Sequence, residues 1–258
     1  MLVTLSILLA RAQRAKRAVV CCRVSSLEMA QACLEAAMQA KEALALEVAL
    51  EAQTSVPGPL LLDAVVHLAH RSTALVSVIA CVAPQETAVQ SILEGGVSAN
   101  RFAWTPSQAG PRRKDLTRWA VRAGTRYGVE VIGDPGSSLT PLRLRSFAEA
   151  TGATVLYLEL DTSEEGRRAA TVSYIHELAI GATVPLMFPE LSLSSAQRQR
   201  YVEAGVRCFT LGEELEQAYA AGLRTAVRDR TVWQFAKLSK PAVQAVRNTV
   251  LSYLGVHT

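Results

Sequence analysis

Histidine is scarce in this chain of 258 residues, which has only His67, His70, His176 and His257. A histidine-built metal cage or a Ser-His-acid triad therefore has few places to arise. His67 and His70 stand three apart in one helical segment, and His176 lies in another. A surface metal pair is the most they offer, and solvent-facing helical side chains are the reading we favour. Lysine is nearly as rare, with Lys16, Lys41, Lys114, Lys237 and Lys240 all in helices or the C-terminal tail. None falls in an apolar strand-like run, which argues against Schiff-base chemistry. No apolar stretch approaches the ~20 residues of a membrane span. In the opening Leu5-Ser6-Ile7-Leu8-Leu9-Ala10 the charges follow the apolar residues, the reverse of a signal peptide. Five cysteines, Cys21, Cys22, Cys33, Cys81 and Cys208, lack metal-ligand spacing. Buried reduced thiols are expected, and with them a reducing compartment and a cytoplasmic location. Also missing is a glycine-rich phosphate loop, because the first strand runs into Arg23-Val24-Ser25-Ser26.

Half of the residues are hydrophobic, 19% are charged and the net charge is +4, a composition that suits a globular protein with a sizeable core. The densest basic clusters, Arg11, Arg14, Lys16, Arg17 and Arg112-Arg113-Lys114, read as solvated helix faces, so neither nucleic acid nor membrane is expected as a partner.

Two periods alternate along the chain. Short apolar runs lie at Ala18–Val24, Leu44–Leu50, Ala74–Ala80, Arg101–Trp104, Val129–Ile132, Thr154–Leu160, Val184–Phe188 and Arg207–Leu211. Most are apolar on both parities, as a parallel strand covered by helices must be. Helical spacing fills the intervals: Leu27–Lys41, Leu60–His70, Pro84–Glu94, Arg112–Arg126, Pro141–Thr151, Val172–Ile180, Ser194–Ala204 and Glu213–Arg228. Serine caps at Ser25-Ser26, prolines at Pro84 and Pro141, and Gly95-Gly96 and Gly152 after helices punctuate these segments. Eight strand–helix units predict a closed parallel barrel, with an open doubly wound sheet as the alternative. A helix over Pro241–Leu254 carries Val243, Val246, Val250 and Leu254 on one stripe, which must bury itself against the barrel or a partner chain.

The segments Met1-Leu2-Val3-Thr4 through Leu50 and Trp233-Gln234-Phe235 through Leu254 resemble the opening and close of class II fructose-bisphosphate aldolases, which are metal-dependent barrel enzymes. Ile92-Leu93-Glu94-Gly95-Gly96-Val97 and Ala148-Glu149-Ala150-Thr151-Gly152-Ala153 are similar to that family's turns before strands four and six. The resemblance implies a (β/α)8 TIM barrel with an N-terminal helix and an extra C-terminal helix. It implies a single domain over 1–258, of which 231–258 is the helical extension. It also implies a homo-oligomer, dimer or tetramer, and aldehyde-lyase activity on fructose bisphosphate with a zinc ion.

The family's working motifs are replaced. Where it carries His-Leu-Asp-His-Gly at the end of strand three, this chain has Ile79-Ala80-Cys81-Val82-Ala83, so Cys81 stands for the catalytic aspartate and Val82 for a ligating histidine. After strand five, Val-Glu-Ala-Glu-Leu-Gly becomes Val131-Ile132-Gly133-Asp134-Pro135-Gly136. After strand six, Gly-Thr-Ser-His-Gly becomes Asp161-Thr162-Ser163-Glu164-Glu165-Gly166, with Glu164 in the histidine's place. After strand seven, Pro189-Glu190-Leu191-Ser192-Leu193 replaces a histidine and a phosphate-cradling glycine loop. After strand eight, Thr210-Leu211-Gly212-Glu213-Glu214 puts acids where a second phosphate would sit.

Losing the metal and anion sites together removes both the Lewis acid and the substrate's handle. The expectation is a degenerate aldolase homologue without cofactor or catalytic residues, acting as a non-catalytic scaffold or regulatory binding protein with a possible protein partner. The alternative is an enzyme of altered type that takes a small carbohydrate-type ligand at an acidic barrel mouth. Asp134, Asp161, Thr162, Ser163 and Glu164 are the candidate ligand-binding residues.

Overall fold

The computed structural model describes residues 1–50, 57–104, 111–136, 139–159, 171–189, 193–228 and 234–255. Eight parallel strands close into a barrel in sequence order: β1 (Val19–Val24), β2 (Leu44–Ala49), β3 (Val76–Val82), β4 (Ala99–Phe102), β5 (Glu130–Gly133), β6 (Val155–Tyr157), β7 (Leu186–Pro189) and β8 (Val206–Leu211). Among the described residues ten helices accompany them: α1 (Leu5–Arg14), α2 (Leu27–Ala40), α3 (Gly58–Arg71), α4 (Glu86–Leu93), α5 (Pro111–Thr125), α6 (Pro141–Thr151), α7 (Val172–Ala182), α8 (Ser195–Ala204), α9 (Glu213–Ala226) and α10 (Phe235–Tyr253). None of these helices is long and apolar enough to cross a membrane.

Successive side chains on a strand point to opposite faces, and here each face has its own core. Val19 and Cys21, Ala45, Ile79, Ala99, Ile132, Val155, Met187 and Cys208 meet in one cluster drawn from all eight strands, so this parity faces the barrel axis. The other parity, which includes Cys22, Leu46, Val78 and Val131, packs under the helices. Adjacent Cys21 and Cys22 thus belong to different cores, and all five cysteines are buried thiols outside any disulfide. The α1 helix closes the barrel floor by adding Leu5, Leu8 and Leu9 to the inner cluster. Its entry is anchored where Val3 N–H donates to Val76 O at 2.8 Å and the terminal amine donates to Ser72 O and Ala74 O.

Caps set the helix ends. Ser26 Oγ accepts from Met29 N–H at 3.2 Å to start α2, Thr140 Oγ1 caps α6, and Ser194 with Gln197 forms a reciprocal capping box on α8. Gly152 ends α6 with φ 75°, a conformation that glycine adopts without strain.

Several boundaries differ from the sequence expectation, among them those of β3, β4 and the last helix. The β3 strand runs two residues later, so Cys81 and Val82 lie within it. The β4 strand starts at Ala99 because the polar residues before Arg101 are paired: Ser98 Oγ accepts from Val78 N–H at 3.2 Å, and Ser98 O accepts from Glu130 N–H at 3.0 Å. The α10 helix starts before Pro241 and contains it. Its stripe is used inside the chain, with Val246, Val250 and Leu251 buried in the outer core beside α2 and Gly222 of α9 seated against Ala242. Those residues are therefore not available to a second chain.

Candidate active site at the barrel mouth

One inward step above the apolar cluster, the same strands change character. The inward residues there are Arg23, Glu47, Cys81, Arg101, Asp134, Tyr157, Pro189 and Thr210, each two positions beyond a member of the inner cluster. This is the C-terminal end of the strands, the face on which barrel enzymes place their working groups.

Glu47 is fully buried at the centre of this layer. Arg101 Nε donates to its Oε2 at 3.0 Å and Arg101 Nη2 to its Oε1 at 2.9 Å. Arg23 Nε donates to the same Oε1 at 2.8 Å. Register brings these groups together: Arg23 pairs with Glu47 across β1 and β2, and Cys81 pairs with Arg101 across β3 and β4. On its other side the Arg101 guanidinium carbon lies 4.4 Å from the Tyr157 ring centroid, a cation–π contact in a desolvated setting.

The network decides the protonation states. Burial opposes the charge on Glu47, but Arg101 and Arg23 overcome it and hold the carboxyl at about 2. Burial likewise opposes the Arg101 charge, and Glu47 reverses that, so its guanidinium is bound to its proton more tightly than usual. Glu47 also raises Arg23. Tyr157 is pushed up to about 12, chiefly by burial, so its phenol is neutral. Lower in the barrel, contact with Cys208 and burial push the Cys21 thiol well above its ordinary range, which leaves it a poor nucleophile.

Asp134 forms a second unit. Its Oδ1 is 2.7 Å from Arg113 Nη1 and accepts from Gly136 N–H at 2.8 Å, while the Arg113 guanidinium lies 5.1 Å from the Trp104 ring. Of the five candidate ligand-binding residues, Asp134 is thus at the mouth but already paired. Asp161, Thr162, Ser163 and Glu164 lie outside the described residues. Leu211, next to Thr210, packs in the outer core instead of facing the mouth. Leu193 packs beside β6 and β7. Gly133 answers to packing, since a Cβ there would come within 2.8 Å of Phe147 Cε1 and 2.9 Å of Ala153 Cβ. Gly133, which stands where the aldolase motif has alanine, thus marks a close strand–helix contact.

Superposition on solved structures identifies the architecture. The chain matches the YdjI aldolase of Escherichia coli K12 with a TM-score of 0.84 and 20% identity, over 99% of this chain and 97% of that one. The fold is that of the class II aldolase type. It also matches a candidate fructose-1,6-bisphosphate aldolase of Coccidioides immitis (TM-score 0.81, 14% identity, 98% and 95% covered). A third match is the fructose-bisphosphate aldolase of Campylobacter jejuni (TM-score 0.74, 11% identity, 99% and 94% covered). No family model matches the sequence, nor does any curated protein.

Set on this aldolase fold, the described part of the mouth offers no donor set that fits the divalent metal that the resemblance implies. Among the described residues no three His, Cys, Asp or Glu side chains gather as a ligand group. Val82 has no donor atom and is buried on the helix-facing side, and Pro189 has no side-chain donor at all. The centre of the mouth is held by a guanidinium that already uses its carboxylate.

The charged trio was missed in the sequence, yet it left a signal. Glu47 is the lone charge in Leu44–Leu50, Arg23 the lone charge in Ala18–Val24, and Arg101 the lone charge in its strand. A charge in a strand covered on both faces has to find a partner, and all three fall at the same height.

Proposed function

We propose that this chain is an aldolase-type barrel that no longer performs metal-dependent aldol cleavage and whose mouth serves ligand binding. One observation carries the reading: the Arg101 guanidinium, clamped by both oxygens of Glu47, stands among the strand ends from which a metal would be held. A fixed cation there repels a second cation in a low-dielectric site. It also has no proton to exchange near neutral pH, so it is no substitute for an acid–base group. Cytoplasmic location and self-association belong to this reading by resemblance to aldolases.

An altered enzyme with an acidic mouth is less well supported. Glu47 and Asp134 are both satisfied by arginines, so neither is a free carboxylate ready to bind a cation.

The test is metal analysis of the purified full chain, followed by a fructose-bisphosphate cleavage assay with added Zn²⁺ or Co²⁺. Neither retained stoichiometric metal nor metal-dependent cleavage is expected. Robust metal-dependent turnover would overturn the proposal.

A further inference from the structure

We propose that the mouth binds a small carboxylate-bearing molecule, with Arg23 as its anchor and Thr210 as a second contact. This rests on the reading of the mouth as a binding site and names the chemistry of its ligand.

Charge comes first. Arg23, Glu47 and Arg101 form one hydrogen-bonded unit of two cations and one anion. The groups that act electrostatically on Arg23 are Glu47, Arg101 and Tyr157, and the last is a neutral phenol. Among the described residues, Glu47 is the acid with which both guanidiniums form their ion pairs. One positive charge in this layer is therefore left without a counter-ion among the described residues, and it falls on the half-exposed Arg23, where an incoming anion can reach it.

The hydrogen-bond count agrees. Arg23 spends Nε on Glu47, and its Nη1 and Nη2 have no partner among the described residues. Arg101 spends Nε and Nη2 on Glu47, and its Nη1 has no hydrogen-bond partner among the described residues. Arg23 is the accessible member of the unit, with 40% of its side chain exposed against 7% for Arg101. Close by, Thr210 Oγ1 is buried without a hydrogen-bond partner, and the residue is only 4% exposed. Thr210 faces inward on β8 and pairs with Cys21, one inward step below Arg23. Two residues on, Gly212 lies against the Arg23 side chain, where a Cβ would stand 3.7 Å from Nη1. An orphaned hydroxyl on β8 and a half-used guanidinium on β1 thus lie on paired strands, two residues apart in register.

The geometry selects a carboxylate over a phosphate. A planar fork with two free nitrogens matches a planar two-oxygen acceptor, and one surplus charge matches a monoanion. Phosphate is usually held by backbone N–H groups. Here Pro189 has none, and Gly212 N–H is taken by Glu214 Oε2 at 3.3 Å.

Saturation-transfer NMR of the full chain with acetate and with malonate, using chloride as the ionic-strength control, tests this. Wild type is compared with Arg23→Gln and Thr210→Val, with circular dichroism melting to confirm that each folds. Saturable carboxylate binding is expected in wild type, about tenfold weaker in Arg23→Gln, the loss of one charge-assisted contact, and weaker by a smaller factor in Thr210→Val. If Arg23→Gln does not fold, Arg23→Lys keeps the charge and removes the fork, and weakened binding is expected again. Absence of carboxylate binding in wild type, unchanged binding in the Arg23 variant, or tighter binding of inorganic phosphate at the same site would each overturn the inference. Metal-dependent cleavage would defeat the functional reading even if acetate bound. No carboxylate binding together with no cleavage would defeat only the inference.

Discussion

The floor and the mouth of this barrel are built by the same strands two residues apart, yet they are held together by different physics. On the floor, Ile79, Ile132, Val155, Met187 and the α1 leucines Leu5, Leu8 and Leu9 contribute apolar area and dispersion. At the mouth, the next inward residues are Arg23, Glu47, Arg101 and Asp134, whose burial is tolerable only because each is paired. The floor has no need of specific partners, since volume and shape suffice. The mouth depends on partners and becomes a liability when one is taken away.

The largest effect should therefore come from the mouth, at Glu47. Glu47→Gln removes the only carboxylate of the trio and leaves the buried Arg101 guanidinium without its counter-ion, facing the half-exposed Arg23. A loss of about 3–5 kcal/mol is expected, read from urea unfolding at neutral pH. The same carboxyl predicts a pH dependence. Its folded value lies at about 2 against an ordinary 4.5. The stability it supplies is complete above the unfolded value and is lost as pH falls from near 4.5 toward 2. Urea midpoints across that window should fall in wild type and fall less steeply in Glu47→Gln. Equal slopes would mean that the trio does not govern acid unfolding.

The floor should answer with a cavity. Ile79→Ala, at a fully buried position, should cost about 2–5 kcal/mol, with no pH dependence between 4.5 and 2 beyond that of wild type. Differential scanning calorimetry at two pH values separates this behaviour from that of Glu47→Gln.

The same contrast explains what was legible in the sequence. Floor and helix-facing residues repeat with period two in strands and near 3.6 in helices, so all eight strands, the closed barrel and the intervening helices could be read in order. Boundaries were harder. Asn100 falls outside the run Arg101–Trp104, and only its pairing with Ala80 of β3 and Val131 of β5 makes it part of β4. The mouth was legible as a set of departures, such as Cys81 for an aspartate and Pro189 for a histidine, but the replacement network was not. Arg23, Glu47 and Arg101 are 24 and 54 residues apart along the chain, and only strand register tells which lone charge meets which. Asp134 was legible as a mouth acid. Its partner Arg113 comes from a helix whose basic run read as surface charge.

The smallest effects sharpen the comparison most, because they put the two environments side by side on one strand. Cys208 and Thr210 both point inward on β8. Cys208 sits in the apolar floor and touches Cys21, so Cys208→Ser places a hydroxyl among Val19, Val155 and Met187. A loss of about 1–3 kcal/mol is expected. Thr210 already has an unpartnered hydroxyl, so Thr210→Val removes a buried polar group of the same shape. Without ligand this change should be neutral or stabilise the protein by about 1 kcal/mol, measured by urea unfolding. A threonine that weakens the empty protein and strengthens carboxylate binding is what a site residue looks like. If Thr210→Val is destabilising instead, the hydroxyl has a structural partner, and the mouth differs from the floor in charge alone.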